Sequence, residues 1–470
     1  MSLPLLRART LSHKPIRTLS SVTSYPLFNP ILPCTVLKFG GSSVGSPDAI
    51  KRSGAIITAS RASGTRTTAV LSAMLGVTNQ LLDIARRAAS GDGASAARGV
   101  GLLLDAHVAV ARAVCTSRAA GEACAEALAS ERVRVHAACG NLVNAGARGA
   151  SSRVEGQFAT DTIASVGEQW VSRIMAAHLR DAGLDAVYVD AVDIIITDGV
   201  PGNSRPLLEE SQERTNKILI PLLDRGAVPI VTGFFGASRE GRLTTLGRGG
   251  SDLSAAVLGH CVKANAIRLY KVEHEAQGNN ECTWIAGWVG VVHDADPATT
   301  IPELHYEEAR ELAHFAKKVL HPETVSPAVD AKIPIEVRNT LDSAHPGTHI
   351  SDGRGEVGPV GRVQTVTHQP LTAYERTHSA SGFGVDVADV AALHGVKREE
   401  AALVALVGFG IMRLDGLADR AVRLLHDAGI PATVPKFVNG SQHSLSVLVP
   451  DVRRKDALTI LHRSFVQQRA

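Results

Sequence analysis

The 470-residue sequence is long enough for two or more domains, each with a sizeable core. Its formal net charge of +3 is spread along the chain and aromatic residues make up 4%, so we expect no nucleic-acid partner. No apolar run reaches the roughly 18 residues that span a bilayer, so we expect no membrane partner, and six cysteines without a CxxC pair indicate reduced thiols without structural zinc.

The first 34 residues differ in composition from the rest. Arginines and lysines lie among serines and threonines there, and the first acidic residue of the chain is Asp48. This composition is typical of an organelle transit peptide, which we predict for residues 1–34. A disordered N-terminal tail is the alternative.

From residue 35 onward, short buried strands alternate with helices. The predicted strands are TVLKFGG, TTAVLSA, AVYVDAVDIII and AVPIVTGFFG. The predicted helices are Pro47–Ser60, Asn79–Ala89, the long VEGQFATDTIASVGEQWVSRIMAAHLRDAG up to Gly183, and Asn216–Asp224. This order predicts an α/β fold with a mainly parallel sheet and helices on both faces, because parallel neighbours need crossover connections. A ligand site is then expected at the carboxyl ends of the strands.

Residues 88–150 form an alanine- and glycine-rich region with few large apolar side chains. We predict that it is a helical insertion or a lid over the sheet.

The stretch TTLGRGGSDLSAA places one arginine and one aspartate among glycines where an alanine-rich helix begins. The glycines give the backbone room to approach a ligand. Ser251 or Asp252 is expected to cap the helix and leave its first N–H groups facing an anion, although a plain loop and cap is an equal alternative.

The C-terminal part changes character. IPIEVRNT is a predicted strand, and the Gly/Pro-rich AHPGTHISDGRGEVGPVG after it is a predicted domain boundary. The order β-α-β-β-α follows, in EAALVALVGFGI, LADRAVRLLHDAGI, ATVPKFV, HSLSVLVP and DALTILHRSF. This order predicts a small ferredoxin-like module.

Three segments together carry a family resemblance. LKFGGSSVGSPDAIKRS, TTLGRGGSDLSAA and FAKKVLHPETVSPA resemble, in this order, the KFGGTSV, TTLGRGGSD and FGAKVLHP patterns of aspartate kinases. The resemblance covers about Thr35 to Ile350 and, more weakly, the C-terminal region. It implies an amino-acid-kinase fold followed by ferredoxin-like ACT domains. It also implies that ATP and L-aspartate react to give 4-phospho-L-aspartate, the first step of lysine, threonine and methionine biosynthesis.

On this basis we predict a catalytic domain over residues 35–330. A linker and an incomplete first ACT-like unit then occupy 331–398, and an ACT domain occupies 399–470.

Phosphoryl transfer to a carboxylate needs no general base, because the nucleophile is already ionised near neutral pH. It needs positioning and relief of the repulsion between two anions. Lys38, at the end of the first strand, is predicted to bridge the β- and γ-phosphates, since an unpaired buried ammonium would be costly. Gly40 and Gly41 open the next turn so that backbone N–H groups reach phosphate oxygens.

The resemblance implies further contacts to the nucleotide. Asp296 and Lys318 are assigned to ATP in this way, and Asp252 is assigned a catalytic role with Lys38. Mg²⁺ is expected with the ATP, held largely by phosphates and water.

The substrate site follows from the charges of aspartate. By resemblance, Arg248 binds the α-carboxylate through a bidentate fork, and Glu168 lies with Asp252 on the amine side. Ser42 and Ser43 are expected to add hydroxyl donors. The alternatives are a solvated helix residue for Glu168 and a surface-loop arginine for Arg248.

One segment departs from the family pattern. The strand AIRLYK runs into VEHEAQGNNECTWIAGW, where the pattern has an aspartate after Lys271 and a turn reading VDGVYTADPR. Residues 272–288 therefore read as an atypical insertion. It is either a surface excursion, which costs little entropy, or the product of a mispredicted splice junction.

ACT units pair across chains to form effector sites for lysine or threonine, so the resemblance implies a homo-oligomer with feedback control. The effector residues assigned in this way are Ser381, Gly384, Asn439 and Gln442, and plain turns are the alternative for all four.

The leading interpretation is a monofunctional aspartate kinase of an organelle, with a plastid favoured over a mitochondrion or the cytoplasm. Two alternatives remain open at this stage. One is another amino-acid kinase, and the other is a catalytically impaired regulatory paralogue that binds amino-acid effectors.

Overall fold

The computed structural model of the chain describes residues 32–145, 150–272, 301–315, 322–353, 363, 365–370, 393, 396–435 and 441–466. Every element below lies within Pro33–Ala470, which forms one compact unit. The predicted transit peptide lies outside the described residues, apart from its last three positions.

The strands are β1 Cys34–Phe39, β2 Arg66–Leu71, β3 Ala186–Val189, β4 Ile196–Thr197, β5 Val228–Thr232, β6 Phe235–Ser238, β7 Leu243–Thr245, β8 Ala266–Lys271, β9 Glu303–His305, β10 Ile335–Asn339, β11 Thr348–Ser351, β12 Thr365–Pro370, β13 Ala401–Val407 and β14 Ser444–Pro450. The α-helices are α1 Pro47–Ala62, α2 Val77–Ala89, α3 Gly93–Val114, α4 Arg118–Ser130, α5 Arg132–Ala145, α6 Ala150–Ala164, α7 Val166–Asp181, α8 Leu208–Asp224, α9 Gly250–Cys261, α10 Tyr306–Phe315, α11 Pro322–Asp330, α12 Leu417–Asp427 and α13 Arg454–Phe465.

Eight strands form the central sheet in the order β3-β5-β2-β1-β8-β10-β11-β9. All neighbouring pairs are parallel except β10 and β11, so the predicted mainly parallel α/β sheet is confirmed. The sheet includes β10 and β11 and so extends past residue 330. The carboxyl ends of β1, β2, β5, β8 and β10 meet at one edge, which is where parallel sheets bind ligands.

Alternation along the strands decides which side chains meet at that edge. Phe39 packs into the cluster formed with α1, α2, α3 and α7, whereas Val36 packs into the cluster formed with α8, α9 and α10. Lys38 is two residues from Val36 and therefore faces α9. On β8, Leu269 belongs to the α9 cluster, which puts Lys271 on the same face.

The predicted helical insertion consists of α3, α4 and α5. Among the described helices, α3 is long and apolar enough to cross a membrane by length and composition alone. Its residues Val100, Leu104 and Val114, however, are buried in the cluster that also contains residues of α2 and α7. The apolar face of α3 is thus a packed face of the helical core.

Several predicted elements differ from the observed ones. The long helix up to Gly183 is two helices, α6 and α7, separated at Ser165, and it ends as predicted at Gly183 with φ 87°. AVPIVTGFFG is not one strand but β5 and β6, which are separated at Gly233 and Phe234. AVYVDAVDIII divides into β3, a short 3-10 helix at Ala191–Asp193, and the start of β4.

The C-terminal module is a three-stranded antiparallel sheet in the order β12-β13-β14. Leu425 of α12 and Leu458 of α13 pack into one cluster with Val404 of β13, so both helices cover one face. The predicted strand ATVPKFV is wrong for residues 432–435, which make only an isolated bridge between Thr433 and Leu448. Its remaining residues lie outside the described part of the chain.

Candidate functional site

A carboxylate between two lysines lies at the carboxyl edge of the central sheet. Lys38 at the end of β1 forms an ion pair with Oδ1 of Asp252, and Lys271 at the end of β8 reaches Oδ2 with Nζ at 2.8 Å. Asp252 lies in the first turn of α9, which packs on that face of the sheet. Three separate chain segments therefore meet at one carboxyl group.

Burial and charge act in opposite directions on this carboxyl group. Burial by itself raises the pKa of Asp252, but the charges and hydrogen bonds of Lys271 and Lys38 outweigh it and hold the pKa below its usual range. Burial lowers the pKa of Lys38, which is 5% exposed, against the opposing charge of Asp252. The start of α9 also favours negative charge at Asp252. The carboxylate remains ionised and holds both ammonium groups in place.

A second carboxyl group, Glu168 of α7, interacts electrostatically with Lys38, and its pKa shifts in the opposite direction from that of Asp252. Glu168 is 3% exposed, and burial raises its pKa to about 8, although hydrogen bonds from the backbone N–H groups of Ala73 and Glu168 and the charge of Lys38 work against this. Its Oε2 has no hydrogen-bond partner among the described residues. A buried acceptor of this kind can receive an ammonium group of a ligand.

Close packing of α7 on the segment after β2 brings Glu168 to this position. A Cβ on Gly167 would lie 2.7 Å from Cβ of Ala73, so only glycine permits this approach. Glu168 is therefore held by backbone contacts, and the alternative of a solvated helix residue is wrong.

The glycine turn after β1 is fixed by the neighbouring strands. A Cβ on Gly41 would lie 2.9 Å from the carbonyl oxygen of Ala73, so the turn also needs a glycine for packing. The N–H of Gly40 donates to the carbonyl oxygen of Tyr270 at 3.3 Å. This N–H is already engaged, which weakens the expectation that it reaches a phosphate.

The two serines of this turn have different surroundings. Ser43 is fully buried, with its Oγ 2.8 Å from Oγ1 of Thr340, so its hydroxyl group joins the glycine turn to the segment after β10. The predicted role of Ser43 as a substrate donor does not fit this position. Ser42 is half-buried and remains a candidate, and Ser46 caps α1 by accepting the N–H of Ala49.

The loop before α9 takes its shape from two glycines. Gly247 and Gly249 have φ of 73° and 76°, a region that glycine occupies without strain. Gly249 is the N-cap of α9, without a side-chain cap, so the prediction that Ser251 or Asp252 caps the helix is wrong. Asp252 is consequently available to the lysines. Arg248 between the two glycines is exposed, and no hydrogen bond or ion pair joins it to another described residue.

Phe234, in the turn between β5 and β6, has a positive φ of 80°, which is costly for an aromatic residue. Its N–H donates to Oγ of Ser254 in α9, and its carbonyl oxygen accepts the N–H of Leu246. The strained turn thus holds the loop of Arg248 against α9.

Sequence reasoning missed two residues of this region. Lys271 is one of them, and Asp161 of α6 is the other. The backbone N–H of Gly202 and that of Thr245 each donate to Oδ2 of Asp161 at 2.8 Å, and the Thr245 hydroxyl donates to Oδ1. Asp161 therefore fixes the end of β7 just before Arg248. The available signal is its place in the same predicted helical stretch as Glu168, shortly before that residue.

Of the remaining predicted residues, the structure describes Gln442. Asp296, Lys318, Ser381, Gly384 and Asn439 lie outside the described residues, as does the predicted insertion beyond Val272. Gln442 is exposed in the segment before β14, where its carbonyl oxygen accepts the N–H of Met412.

Comparison with known proteins gives consistent matches. The model of the amino acid kinase family matches residues 33–273. Lysine-sensitive aspartokinase 3 of Escherichia coli is 30% identical over 370 residues, covering 77% of this chain and 74% of that protein. Bifunctional aspartokinase/homoserine dehydrogenase 1, chloroplastic, of Arabidopsis thaliana is 30% identical over 389 residues, covering 77% of this chain and 39% of the relative.

Aspartokinase 1, chloroplastic, of Arabidopsis thaliana is 36% identical over 203 residues, or 41% of this chain and 32% of the relative. The chain thus matches less than half the length of these plant relatives. Among solved structures, E. coli aspartokinase III in complex with aspartate and ADP has a TM-score of 0.68 at 24% identity and covers 92% of this chain and 100% of that chain. Clostridium acetobutylicum aspartate kinase has a TM-score of 0.65 at 20% identity, with coverages of 93% and 100%. These structures share the fold.

Proposed function

The chain belongs to the amino acid kinase family, within the aspartokinases, and we propose that it transfers the γ-phosphoryl group of ATP to the side-chain carboxylate of L-aspartate. The observation that carries this proposal is the Asp252 carboxylate held between Lys38 and Lys271, beside the buried Glu168. The product is 4-phospho-L-aspartate, which opens the biosynthesis of lysine, threonine and methionine.

Charge neutralisation is the main task of such a site, because a triphosphate and a dicarboxylate repel each other. Lys38 reaches the β- and γ-phosphates from the end of β1, and Asp252 keeps its ammonium group charged and aimed at the cleft. The attacking carboxylate oxygen of aspartate is already ionised, so no residue needs to remove a proton from it.

Recognition of aspartate uses the two groups at its α-carbon. Glu168 accepts the α-ammonium group through Oε2, which has no other partner among the described residues, and gives up its own proton as the ammonium binds. Arg248 is exposed at the loop before α9 and offers a planar fork to the α-carboxylate. Ser42 adds a hydroxyl donor in the glycine turn.

Mg²⁺ accompanies ATP in this proposal and supplies further neutralisation of phosphate charge. The described residues contain no group of three or more His, Cys, Asp or Glu side chains that could hold a metal ion. Both carboxylate oxygens of Asp252 are paired with lysine ammonium groups. We expect the ion to be held largely by phosphate oxygens and water. Gly40, Gly41, Asp296 and Lys318 are assigned to the nucleotide by resemblance.

Regulation and location are part of the same proposal. A lysine or threonine effector is assigned to the C-terminal region at Ser381, Gly384, Asn439 and Gln442, with a homo-oligomer formed through ACT units. The E. coli relative is described as lysine-sensitive, which supports a lysine effector. Chloroplastic plant relatives support a plastid location, and the bacterial relatives keep the cytoplasm as the alternative.

The proposal is tested by trapping the acyl phosphate. The full chain, with aspartate, MgATP and hydroxylamine, is expected to give aspartyl hydroxamate, and Lys38→Ala is expected to reduce the rate by at least about a hundredfold. Lys51→Ala, at an exposed position of α1, is the control and is expected to keep full activity.

Unchanged turnover by the Lys38 variant would remove Lys38 from the mechanism. A wild-type chain that binds MgADP but forms no hydroxamate would favour the impaired regulatory paralogue.

A further inference from the structure

Lys271 stands in the cleft without an assigned role. Its Nζ lies 2.8 Å from Oδ2 of Asp252, while the other oxygen of that carboxylate is held by Lys38. β1 and β8 are neighbours in register, with Phe39 beside Tyr270, so Lys271 extends one residue beyond the end of β1. Both lysines point to the α9 face of the sheet, toward the edge where a ligand enters.

The position of Lys271 is built into the fold. Its carbonyl oxygen accepts the N–H of Thr340 at 2.8 Å and the hydroxyl of the same residue at 3.0 Å. Oγ1 of Thr340 lies in turn 2.8 Å from Oγ of Ser43 in the glycine turn. The backbone of Lys271 is thus fixed to β10 and to the glycine turn together.

The charges of the cluster do not balance. Two ammonium groups share one carboxylate, and the side chains of Lys38, Lys271 and Asp252 are only 6%, 17% and 8% exposed. The cluster therefore holds one excess positive charge in a poorly hydrated place, which is costly unless an anion compensates it. An anion with several charges close together, such as a polyphosphate, fits two ammonium groups fixed side by side.

We propose that Lys271 is a second phosphate-binding cation, which contacts the β-phosphate of the nucleotide while Asp252 holds Lys271 and Lys38 at a fixed spacing. The inference rests on the proposed function, since it deepens the nucleotide site of the same cleft. It assigns Lys271 to the ligand and Asp252 to positioning. The segment that departs from the family pattern begins directly after this lysine, at Val272.

Lys271→Met tests the proposal because it removes the charge and keeps the aliphatic stem. Asp252 keeps Lys38 as its partner in this variant. The matched control is Arg268→Met on the same strand, which breaks the ion pair of Arg268 with Glu336 on the opposite face of the sheet. Binding of inorganic tripolyphosphate, MgADP and AMP to the full chain is measured by titration calorimetry, together with the KM values for ATP and aspartate.

We expect Lys271→Met to weaken MgADP and tripolyphosphate binding by about tenfold or more, which is typical for the loss of a charged hydrogen bond. The KM for ATP should rise with it, while AMP, which lacks a β-phosphate, binds as in the wild type. Arg268→Met should leave all three affinities within about twofold. Lys271→Arg, which keeps the charge, should restore most of the MgADP affinity.

Wild-type affinity of Lys271→Met for MgADP and tripolyphosphate would overturn the inference, and so would an equal loss for AMP. These outcomes are separate from failure of the proposed function. If the wild type binds MgADP but does not phosphorylate aspartate, the proposed function is contradicted. The role of Lys271 is then still tested by the MgADP and tripolyphosphate affinities of Lys271→Met.

Discussion

Glu168 and Asp252 are buried carboxyl groups near the same lysine, yet the pKa of one is raised and that of the other is lowered. The difference lies in the number of cations each one touches. Asp252 has two ammonium groups on its two oxygens, and Glu168 has two backbone N–H donors and the more distant charge of Lys38. Burial therefore decides the pKa of Glu168, and ion pairing decides that of Asp252.

The raised pKa of Glu168 predicts a pH-dependent effect on stability. Its pKa is raised from 4.5 to about 8, so the stability that this group contributes is fully present below pH 4.5 and is lost as the pH rises toward 8. Glu168→Gln resembles the protonated acid and does not ionise. We expect its melting temperature to exceed that of the wild type by a margin that grows between about pH 5 and pH 8.5.

Differential scanning calorimetry without ligands, over a pH series, provides this measurement. The carboxyl group of Asp252 does not interfere, because its lowered pKa makes its stabilising contribution disappear only on strong acidification. A melting-temperature difference that stays constant across the range would contradict the raised pKa. The same variant should raise the KM for aspartate, since it offers the substrate amine no charge.

The sequence predicts three charged residues of the site but not Lys271, which pairs with one of them. Lys38, Glu168 and Asp252 were found because they lie in short motifs beside strand ends and helix starts. For Lys271 the sequence indicates only that the aspartate expected after it is missing. Its partner Asp252 lies 19 residues earlier in the chain, and a strand pattern does not specify such a pairing.

At the level of elements, helix and strand types were predicted better than their interruptions. The break between α6 and α7 at Ser165 and the turn at Phe234 lie within continuous apolar patterns, so periodicity alone does not reveal them. Both are set by tertiary contacts, namely the packing of Gly167 on Ala73 and the hydrogen bond from Phe234 to Ser254. For residues 432–435 the predicted strand ATVPKFV fails for a local reason, because Pro435 has no N–H to donate to a neighbouring strand.

The turn between β10 and β11 stabilises the cleft indirectly, through β10. This strand pairs with β8, and Thr340, directly after β10, donates its N–H to the carbonyl oxygen of Lys271. Gly347 in this turn has φ 73°, and a Cβ there would lie 2.0 Å from the carbonyl oxygen of Val337. Gly347→Ala is expected to destabilise the protein by about 3 kcal/mol or more, from the backbone conformation and the backbone clash together. Urea unfolding followed by circular dichroism measures the change.

Gly241→Ala is the matched control for this prediction. Gly241 has a similar φ of 80°, but nothing lies within 4 Å of a Cβ at that position. The Gly241→Ala substitution should lower the free energy of unfolding by only about 1–2 kcal/mol, the penalty of the left-handed conformation. If the free energy of unfolding falls equally in the two variants, the clash at Gly347 is relieved without an energetic penalty.

At the scale of the whole molecule, α10 joins the central sheet to the C-terminal module. Glu308 of α10 is 2% exposed, and its Oε1 accepts the N–H of Phe409 in the segment after β13. The ring of Phe409 stacks on His443 at a centroid distance of 4.9 Å and contacts the tilted ring of His305 at 4.1 Å. Burial raises the pKa of Glu308 despite its two backbone hydrogen bonds. Polar and aromatic contacts therefore fix the module to the helix that precedes the segment of Lys318.

The hydrogen bond from Ser444 to Glu311 allows this attachment to be tested without changing Lys38, Lys271 or Asp252. Ser444 of β14 donates to Oε2 of Glu311, which is 8% exposed, so removal of the hydroxyl leaves a buried carboxylate oxygen with one donor fewer. Ser444→Ala is expected to weaken the attachment by about 1–3 kcal/mol. Faster hydrogen exchange of the α10 amides and a lower calorimetric melting temperature should report the loss. Ser446→Ala, on the same strand and face, is the control, because Oγ of Ser446 has no hydrogen-bond partner among the described residues. If α10 exchanges equally fast in both variants, the serine–glutamate contact does not hold the module in place.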